Sequence, residues 1–185
     1  SLKILSYIYS KIINKGIHKS ESIKIAEAAK VIENVQRDVN IALMNELSLI
    51  CNKLNINIYD VIEAASTKWN FLKFYPGLVG GHCVGVDPYY LIQESKRWNI
   101  NPELMVSARK INNSMTNKIR IRIEKKFKKK NARILFMGVT FKENCADLRN
   151  SLYLKLAKKL NKNHKVQIYE PNLSNLKKIS GIQNL

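Results

Sequence analysis

The 185-residue sequence lacks the features that mark secreted and membrane proteins. No apolar run is long enough to span a bilayer. The N-terminal stretch SLKILSYIYSKIINKG has no signal-peptide pattern of charge, apolar core and small cleavage residues. The three cysteines, Cys51, Cys83 and Cys145, are odd in number and far apart, so they make no disulfide framework. We therefore expect a protein of the reducing cytoplasm with no membrane partner.

Acidic residues are also scarce, with 14 Asp and Glu against 32 Lys and Arg and a net charge of +18. Such an excess is typical of proteins that bind nucleic acid, an anionic surface or an acidic small molecule such as a nucleotide. It also results from a genome biased toward Lys, Ile and Asn. The most basic stretch, KIRIRIEKKFKKKNAR, contains Phe127 as its single aromatic residue, whereas single-strand binding relies on interleaved aromatics. We expect no nucleic-acid partner; one would reveal itself by steeply salt-dependent binding.

Glycine and proline are few and are concentrated in one stretch. Residues 74–90, FYPGLVGGHCVGVDPYY, hold four of the seven glycines and two of the four prolines. Two glycines stand directly before His82 and Cys83, and another follows shortly after. Because glycine allows tight backbone conformations, this pattern predicts a cysteine presented on an exposed turn.

Asp87 follows Cys83 by four residues, and Pro88 favours an extended backbone at Asp87. A thiol and a carboxylate on one short loop can serve as a nucleophile and a water-activating base. A surface loop with an incidental cysteine is the simpler alternative. A metal site built from His82, Cys83 and Asp87 is a further alternative, but adjacent side chains in an extended segment point apart and no fourth ligand is near. We expect no metal.

Apolar residues recur at helical spacing over most of the first 126 positions, which predicts a mainly helical region. The longest predicted helix opens with Ser20 or Ser22 as its cap and runs to about Leu54, roughly 45–50 Å. Apolar side chains line one face of it, and such a long helix needs neighbours along its length, as a spine or a dimer contact. The other predicted helices cover residues 2–15, 58–65, 88–97 and 101–126, with Gly16, Asn57 and Asn101 as caps.

A polar stripe lies on the other side of the longest predicted helix. Glu27, Lys30, Asn34 and Asp38 fall three or four residues apart and therefore share one side. A solvated face is the usual explanation of such a stripe.

The pattern changes at Ala132. It predicts a buried strand over 134–137, a helix over 151–160 and a strand over 166–169, which together form a β-α-β unit. The loop after the first strand carries Lys142 and Arg149 and meets a helix N-terminus, so it predicts an anion site. It has no G-x-G-x-x-G fingerprint. Because two parallel strands rarely form a complete domain, we expect the protein to continue beyond both ends of this sequence.

Three segments occur in the order of one known family: SIKIAEAAKVIENVQRDVNIALMNEL, GGHCVGVDPYYL and GVTFKENCADLRNS. They resemble the central helix, the catalytic-cysteine loop and the entry to the C-terminal domain of the UDP-glucose/GDP-mannose dehydrogenases. Within this family, the chain is most similar to the branch that acts on UDP-N-acetylhexosamines for capsule or O-antigen sugars. The similarity lies in the sequences FYPG, GGHCVGVDPYY and FKENCADLRNS. The resemblance implies an α/β family fold, with a mainly α-helical central domain and a long spine helix followed by the first β-α-β unit of a Rossmann-like UDP-binding domain.

The resemblance also implies domain bounds and site residues. Residues 1–18 would close an N-terminal NAD-binding domain, 19–130 would form the central dimerisation and catalytic domain, and 131–185 would begin the UDP-sugar-binding domain. The implied catalytic residues are Cys83 as nucleophile, Asp87 in water activation, and Lys30 and Asn34 at the oxyanion. The implied substrate-binding residues are Phe74, Tyr75, Pro76, Gly77, Gly80 and Lys142, and Arg149 is implied to reach the cofactor.

The family oxidises the C6 alcohol of a nucleotide sugar to a carboxylate with two NAD+, and its members are homodimers joined through the long helix. The resemblance thus implies NAD as cofactor and a UDP-sugar as substrate. This sequence departs from the branch in reading FYPGLVGGHC instead of FYPGPGVGGHC. It also lacks a match to the N-terminal NAD-binding domain, so we expect a fragment, a split-gene product with a separately encoded NAD-binding domain, or a decayed reading frame. The alternatives are a non-catalytic dimerisation fragment and a UDP-glucose 6-dehydrogenase.

Overall fold

The computed structural model describes residues 2–127, 131–173 and 182–184. The chain divides into two compact units, residues 1–33 and residues 34–185, and a single long helix runs through the boundary. The domain bounds expected from the sequence, after residue 18 and after residue 130, stay a prediction. Within the described residues, no helix combines the length and the apolarity needed to cross a bilayer.

The first unit contains helix α1, Leu2–Ser10, and the start of helix α2, Ile23–Lys53. The prediction of a helix as far as residue 15 was wrong, because the chain leaves α1 in turns and reaches Gly16 at φ +87°. Ser22 caps α2 as expected: its Oγ accepts a hydrogen bond from the Ile25 N–H at 3.2 Å, which satisfies a free donor of the first turn.

The second unit adds four helices to the rest of α2 among the described residues: α3, Ile58–Ala65; α4, Asp87–Arg97; α5, Glu103–Lys126; and α6, Leu152–Leu160. Asn57 caps α3 as predicted, accepting a hydrogen bond from the Tyr59 N–H at 3.1 Å. The prediction of Asn101 as a cap was wrong. Helix α5 begins at Glu103 with Pro102 in the cap position, and the Asn101 amide donates to the Glu103 carboxylate instead.

The buried face of α2 is mixed, contrary to the apolar stripe read from its sequence: Ala42 and Met44 are buried together with four polar residues. Asn34, Asp38 and Asn45 are at most 2% exposed, whereas Leu43 and Ile50 are 47% and 50% exposed. A solvated face is therefore the wrong explanation for Asn34 and Asp38. Periodicity alone cannot identify the buried side of a helix when buried polar side chains have partners elsewhere in the chain.

Three parallel strands form a sheet in the order β1-β2-β3, and α6 connects β1 to β2. The strands are β1, Arg133–Met137; β2, Lys165–Tyr169; and β3, Gln183–Asn184. The sequence predicted the first two and missed β3. Ser151 caps α6 by accepting from the Leu154 N–H at 3.1 Å. The prediction that β1 is buried was wrong, since Leu135 and Met137 are 50% and 78% exposed and a single face of the strand is packed.

The sheet packs on α6 through an apolar cluster, and Ile119 and Ile123 of α5 pack against the same cluster. The cluster consists of Val139, Leu154, Leu156, Ala157, Leu160, Val166, Ile168 and Ile182. A smaller cluster joins Met44 of α2 to Ile58 and Ile62 of α3. Helix α5 thereby connects the sheet to the helices that carry the candidate site.

Candidate active site

Cys83 lies in a turn formed by residues 81–86, here called the Cys83 turn, which leads directly into α4. The cysteine is exposed and free of disulfides. Its carbonyl oxygen accepts hydrogen bonds from the Val86 N–H at 2.9 Å and the Asp87 N–H at 2.8 Å. Asp87 is thus the first residue of a helix, and the expectation of an extended Asp87 was wrong. Proline is well tolerated in a first helical turn, so Pro88 continues the helix instead of preventing it.

Asn34 and Asp87 meet although 53 residues separate them in the chain. The Asn34 Nδ2 donates to the Asp87 Oδ2 at 2.6 Å, and Asn34 is 2% exposed. A buried amide therefore fixes a carboxylate one helical turn after the cysteine. The chain thus places an exposed thiol four residues before a carboxylate that a buried amide holds, and these are the kinds of group needed for attack on a carbonyl and for hydrolysis of the product.

Lys30 belongs to the first unit, on α2 and four residues before Asn34. Its amine pairs with the Glu33 carboxylate at 2.6 Å, and both side chains are largely exposed. Glu27 is also exposed. The role expected for Lys30 at an oxyanion stays a prediction.

The segment expected to cover the substrate is anchored at its N-terminal end. Phe74 packs against the cluster of Met44, Ile58 and Ile62. The Tyr75 hydroxyl donates to the Glu63 carboxylate at 3.1 Å. Phe74 thus serves the hydrophobic core, while Tyr75 keeps an exposed ring.

Gly77 is held by the side chain of a fully buried asparagine, Asn45. The Asn45 Nδ2 donates to the Gly77 carbonyl oxygen and the Asn45 Oδ1 accepts from the Gly77 N–H, both at 2.9 Å. Pro76 and Gly77 also line a cavity of about 310 Å³ that includes Lys118 and Arg122 of α5. One side chain of α2 therefore fixes the backbone of the predicted substrate loop.

Asn45 belongs to a larger buried polar network between α2 and α5. Its Nδ2 also donates to the Asn112 Oδ1 at 2.9 Å, and the Asn112 Nδ2 donates to the Asp38 Oδ1 at 2.7 Å. The Arg109 guanidinium pairs with the same Asp38 oxygen at 2.6 Å. Burial raises the pKa of the Asp38 carboxyl, and the Arg109 charge and the Asn112 and Arg109 hydrogen bonds oppose that rise. The network connects α2, whose Asn34 is bonded to Asp87, to the loop that contains Gly77.

Lys142 and Arg149 lie on the segment 139–151 that follows β1, here called the β1–α6 loop. Lys142 lines an open groove of about 500 Å³ that also includes Met137 at the end of β1 and Glu170 just after β2. In open α/β sheets, ligands bind outside the carboxyl ends of the strands. The groove therefore lies where open parallel sheets bind ligands, and the exposed Lys142 amine offers a positive charge there.

Arg149 is folded onto Asp147 of the same loop. Its Nη2 donates to the Asp147 Oδ2 at 2.7 Å and its backbone N–H donates to Oδ1 at 2.8 Å. These hydrogen bonds hold the pKa of the Asp147 carboxyl well below its ordinary value. The Arg149 side chain is nevertheless 75% exposed, so part of its guanidinium faces solvent.

The Cys83 turn packs closely against the β1–α6 loop. The His82 Nε2 lies 2.6 Å from the Asp147 Oδ2, and the His82 ring meets the Phe141 ring edge-on at 5.4 Å. A Cβ on Gly81 would lie 2.8 Å from Phe141, and one on Gly80 would lie 2.6 Å from a backbone oxygen. Glycine is required at both positions because another chain segment occupies the space of a side chain.

The metal alternative would need His82, Cys83 and Asp87 to converge. Instead, His82 bonds to Asp147 and Asp87 bonds to Asn34. Across the described parts of the chain, no three His, Cys, Asp or Glu residues are grouped closely enough to hold a metal ion.

The family is established by two matches that follow this division of the site. Residues 24–114 match the central domain of the UDP-glucose/GDP-mannose dehydrogenase family, and residues 135–184 match its UDP-binding domain. The chain belongs to the UDP-glucose/GDP-mannose dehydrogenase family. The resemblance inferred from the sequence motifs is confirmed.

Relatives with curated names match nearly the whole chain. A UDP-N-acetyl-D-glucosamine 6-dehydrogenase of Salmonella typhi is 49% identical over 175 residues, which is 91% of this chain and 41% of that protein. Protein CapL of Staphylococcus aureus is 46% identical over 189 residues, 98% of this chain and 45% of that protein. The chain thus spans less than half the length of these relatives.

A solved structure agrees with the fold. The UDP-N-acetyl-mannosamine dehydrogenase Cap5O of Staphylococcus aureus superposes with a TM-score of 0.76 and 35% identity, covering 93% of this chain and 40% of that one. The mainly helical region followed by a parallel sheet is therefore the architecture of this dehydrogenase family, as the sequence predicted.

Several residues that shape this dehydrogenase-family site were not found from the sequence as site residues. They are Asn45, Arg109, Asn112 and Asp147, whereas His82 was considered from the sequence as a metal ligand alone. Asn45 and Asn112 could have been suspected as polar residues inside helices rich in apolar side chains, since buried polar groups need specific partners. No local signal could have joined His82 to Asp147, because they are 65 residues apart.

Proposed function

We propose that this chain is the central and partial C-terminal region of an NAD-dependent UDP-N-acetylhexosamine 6-dehydrogenase that supplies a uronic acid for capsule or O-antigen polysaccharide. The family membership and the named relatives support this reaction class. The observation that carries the proposal is the cluster in which Asn34 holds Asp87 one helical turn after the exposed Cys83.

In the proposed reaction the C6 alcohol of the sugar is oxidised twice. After the first oxidation gives an aldehyde, the Cys83 thiolate adds to C6 and forms a thiohemiacetal. The second oxidation gives a thioester, and a water molecule activated near Asp87 hydrolyses it to the carboxylate and frees the thiol. Asn34 orients Asp87 for this step through its 2.6 Å hydrogen bond. Lys30 is proposed to stabilise the oxyanion of the adduct.

We assign the nucleotide-sugar to the groove beside Lys142 and to the loop that contains Phe74, Tyr75, Pro76, Gly77 and Gly80. The exposed Lys142 amine at the carboxyl end of β1 supports this assignment, because it offers a charge for a diphosphate. Phe74 is the weakest member of the set, since it packs in the core. Its role would be to hold the loop rather than to touch the sugar.

NAD+ would accept the two hydrides. The 185 residues contain no G-x-G-x-x-G fingerprint, so they do not fit the main site of a dinucleotide. We therefore assign the cofactor to another domain of a longer protein or to a separately encoded chain. From this chain, Arg149 alone is assigned to the cofactor, on the strength of its exposed guanidinium.

The second candidate function is a dimerisation fragment without activity of its own. The half-exposed Leu43 and Ile50 on α2 favour this function, because a long helix with exposed apolar side chains needs a partner surface. We propose that α2 joins two copies of the chain in a homodimer in either case. Incubating the pure chain with NAD+ and a UDP-N-acetylhexosamine separates the two candidates: NADH production would exclude an inactive fragment.

The catalytic proposal is tested in a full-length version that includes an NAD-binding domain. Cys83→Ala should abolish release of the uronic acid, because no thioester can form. Lys30→Ala should lower kcat by roughly a hundredfold, as expected for the loss of one oxyanion donor. The measurements are NADH formation and product analysis by mass spectrometry.

Lys24→Ala is the matched control, since Lys24 is another exposed lysine near the start of α2. It should leave kcat within about twofold, as exposed helical Lys→Ala changes are nearly neutral. Uronic acid released at a normal rate by Cys83→Ala would refute the proposed nucleophile. Equal, small effects at Lys30 and Lys24 would remove Lys30 from the mechanism.

A further inference from the structure

Two hydrogen bonds between side chains attach the two ends of the Cys83 turn to the rest of the second unit. On its C-terminal side, Asp87 is bonded to the buried Asn34 of α2. On its N-terminal side, His82 is bonded to Asp147 of the β1–α6 loop at 2.6 Å. The second attachment is not part of the proposed chemistry, yet it involves the residue directly before the nucleophile.

Asp147 is prepared to hold His82. Its side chain is 19% exposed, and Arg149 contacts both of its oxygens, with Nε at 3.1 Å from each and Nη2 at 2.7 Å from Oδ2. A carboxylate held by a guanidinium and a backbone N–H has one defined orientation, and its Oδ2 is turned toward the His82 ring. Shared contacts of this kind make Asp147 a rigid acceptor.

The surfaces around this hydrogen bond are closely fitted. Phe141 packs its ring edge-on against His82 and fills the space beside Gly81. The Asn150 Nδ2 donates to the Gly81 carbonyl oxygen at 3.3 Å. The contacts come from both ends of the β1–α6 loop, which is also the loop that carries Lys142.

We infer that Asp147 is a positioning residue for the Cys83 turn: through His82 it fixes the backbone that presents the thiol to the β1–α6 loop. Without this bond, the N-terminal side of the turn would keep only the 3.3 Å hydrogen bond from Asn150 to the Gly81 carbonyl oxygen and the packing of Phe141. A displacement of about 1 Å at a reacting atom is enough to reduce a rate by about a hundredfold. The part of this inference that concerns catalysis rests on the proposed role of Cys83, whereas the attachment itself does not.

The experiment uses His82→Ala, Asp147→Ala and the double variant, because His82→Ala removes the attachment while leaving the Asp147–Arg149 pair intact. Glu143→Gln is the matched control, an exposed carboxylate on the same loop. The first readout is amide hydrogen exchange of residues 81–86 in the 185-residue chain, together with the alkylation rate of Cys83 by iodoacetamide relative to Cys51. Thermal melts followed by circular dichroism establish that each variant is folded.

We expect His82→Ala and Asp147→Ala each to speed exchange of residues 81–86 by about tenfold and to change the Cys83 alkylation rate, with no further change in the double variant. Such non-additivity is the signature of two residues that act through one contact. Glu143→Gln should match the wild type. The inference would be overturned if residues 81–86 exchanged in His82→Ala at the wild-type rate, or if the effects of the two single variants added up in the double variant. If Asp147→Ala does not fold, His82→Ala decides the outcome alone.

The second readout is steady-state kinetics in the full-length enzyme. His82→Ala should lower kcat by about tenfold to a hundredfold and leave KM within about twofold, because the thiol is misplaced while the substrate groove is unchanged. Asp147→Asn, which keeps one acceptor oxygen, should recover part of the rate lost in Asp147→Ala. An unchanged kcat in His82→Ala would overturn the role in catalysis. An inactive wild-type enzyme with faster exchange in the variants would refute the proposed function and leave the attachment intact.

Discussion

The helical region and the sheet region of the second unit fill their interiors with different chemistry. The sheet and α6 enclose an apolar cluster that includes Leu160 and Ile168, both with no exposed surface. Between α2 and α5 the buried side chains include Asp38, Asn45 and Asn112, joined by hydrogen bonds. The apolar cluster supports a scaffold, whereas the polar network orients particular groups of the candidate site.

The difference shows that this protein buries polar side chains, which is energetically costly without partners, between α2 and α5. Apolar burial stabilises in proportion to area and without direction, while buried polar groups stabilise only when each has its partner. The network reaches the site where Asn45 holds Gly77, and the same helix α2 separately carries Asn34, which holds Asp87. In the helical region a connected polar network therefore orients groups of the site, whereas the buried polar side chains of the sheet region, Ser151, His164 and Glu170, are not members of its apolar cluster.

Arg109→Leu should have the largest effect on stability, because it disrupts the buried polar network between α2 and α5. It leaves the Asp38 carboxylate buried without its counter-charge, which costs about 3–5 kcal/mol. The free energy of unfolding in urea measures the loss. The double variant Asp38→Leu with Arg109→Leu should recover much of it, because an apolar pair can replace a buried ion pair. A loss no larger than that of a surface substitution would mean that the ion pair is not buried in solution.

Leu160→Ala tests the apolar side. Leu160 has no exposed surface, so its truncation should cost about 2–5 kcal/mol through lost burial and the cavity left behind. Leu135→Ala on the half-exposed face of β1 is the control and should stay within about 0.5 kcal/mol. Similar losses at both positions in urea unfolding would show that the exposed face of β1 is covered in solution.

Asn45→Ala should have the smallest effect on stability and sharpens the comparison, because it separates folding from positioning. Removing the amide leaves the Gly77 N–H and carbonyl without their partner, which costs about 1–3 kcal/mol. In the full-length enzyme, KM for the UDP-sugar should rise as the loop is released. Gln36→Ala, which removes an exposed amide of the same helix, should change neither quantity measurably. An unchanged KM in Asn45→Ala would show that the position of Gly77 does not affect binding of the UDP-sugar.

The amino-acid sequence by itself determined the features that depend on neighbouring residues. The caps at Ser22, Asn57 and Ser151 follow from side chains that bond the backbone two or three residues away. The same is true of the strands β1 and β2 and of the turn that exposes Cys83 among glycines. Three motifs in a fixed order were sufficient for the family, because they concern residues whose chemistry is confined to short segments.

Only the tertiary structure decided which side of α2 is buried and which residues meet across the site. The sequence favoured burial of the apolar side of α2. The buried Asp38 carboxylate is instead stabilised by hydrogen bonds from Arg109 and Asn112, which lie 71 and 74 residues further along the chain. The contacts of His82 with Asp147 and of Asn45 with Gly77 likewise join distant segments. The physical reason is that a buried polar side chain is stable only through its partner. Such a partner comes from a distant segment of the folded chain, so it cannot be inferred from the periodicity of apolar residues in the helix itself.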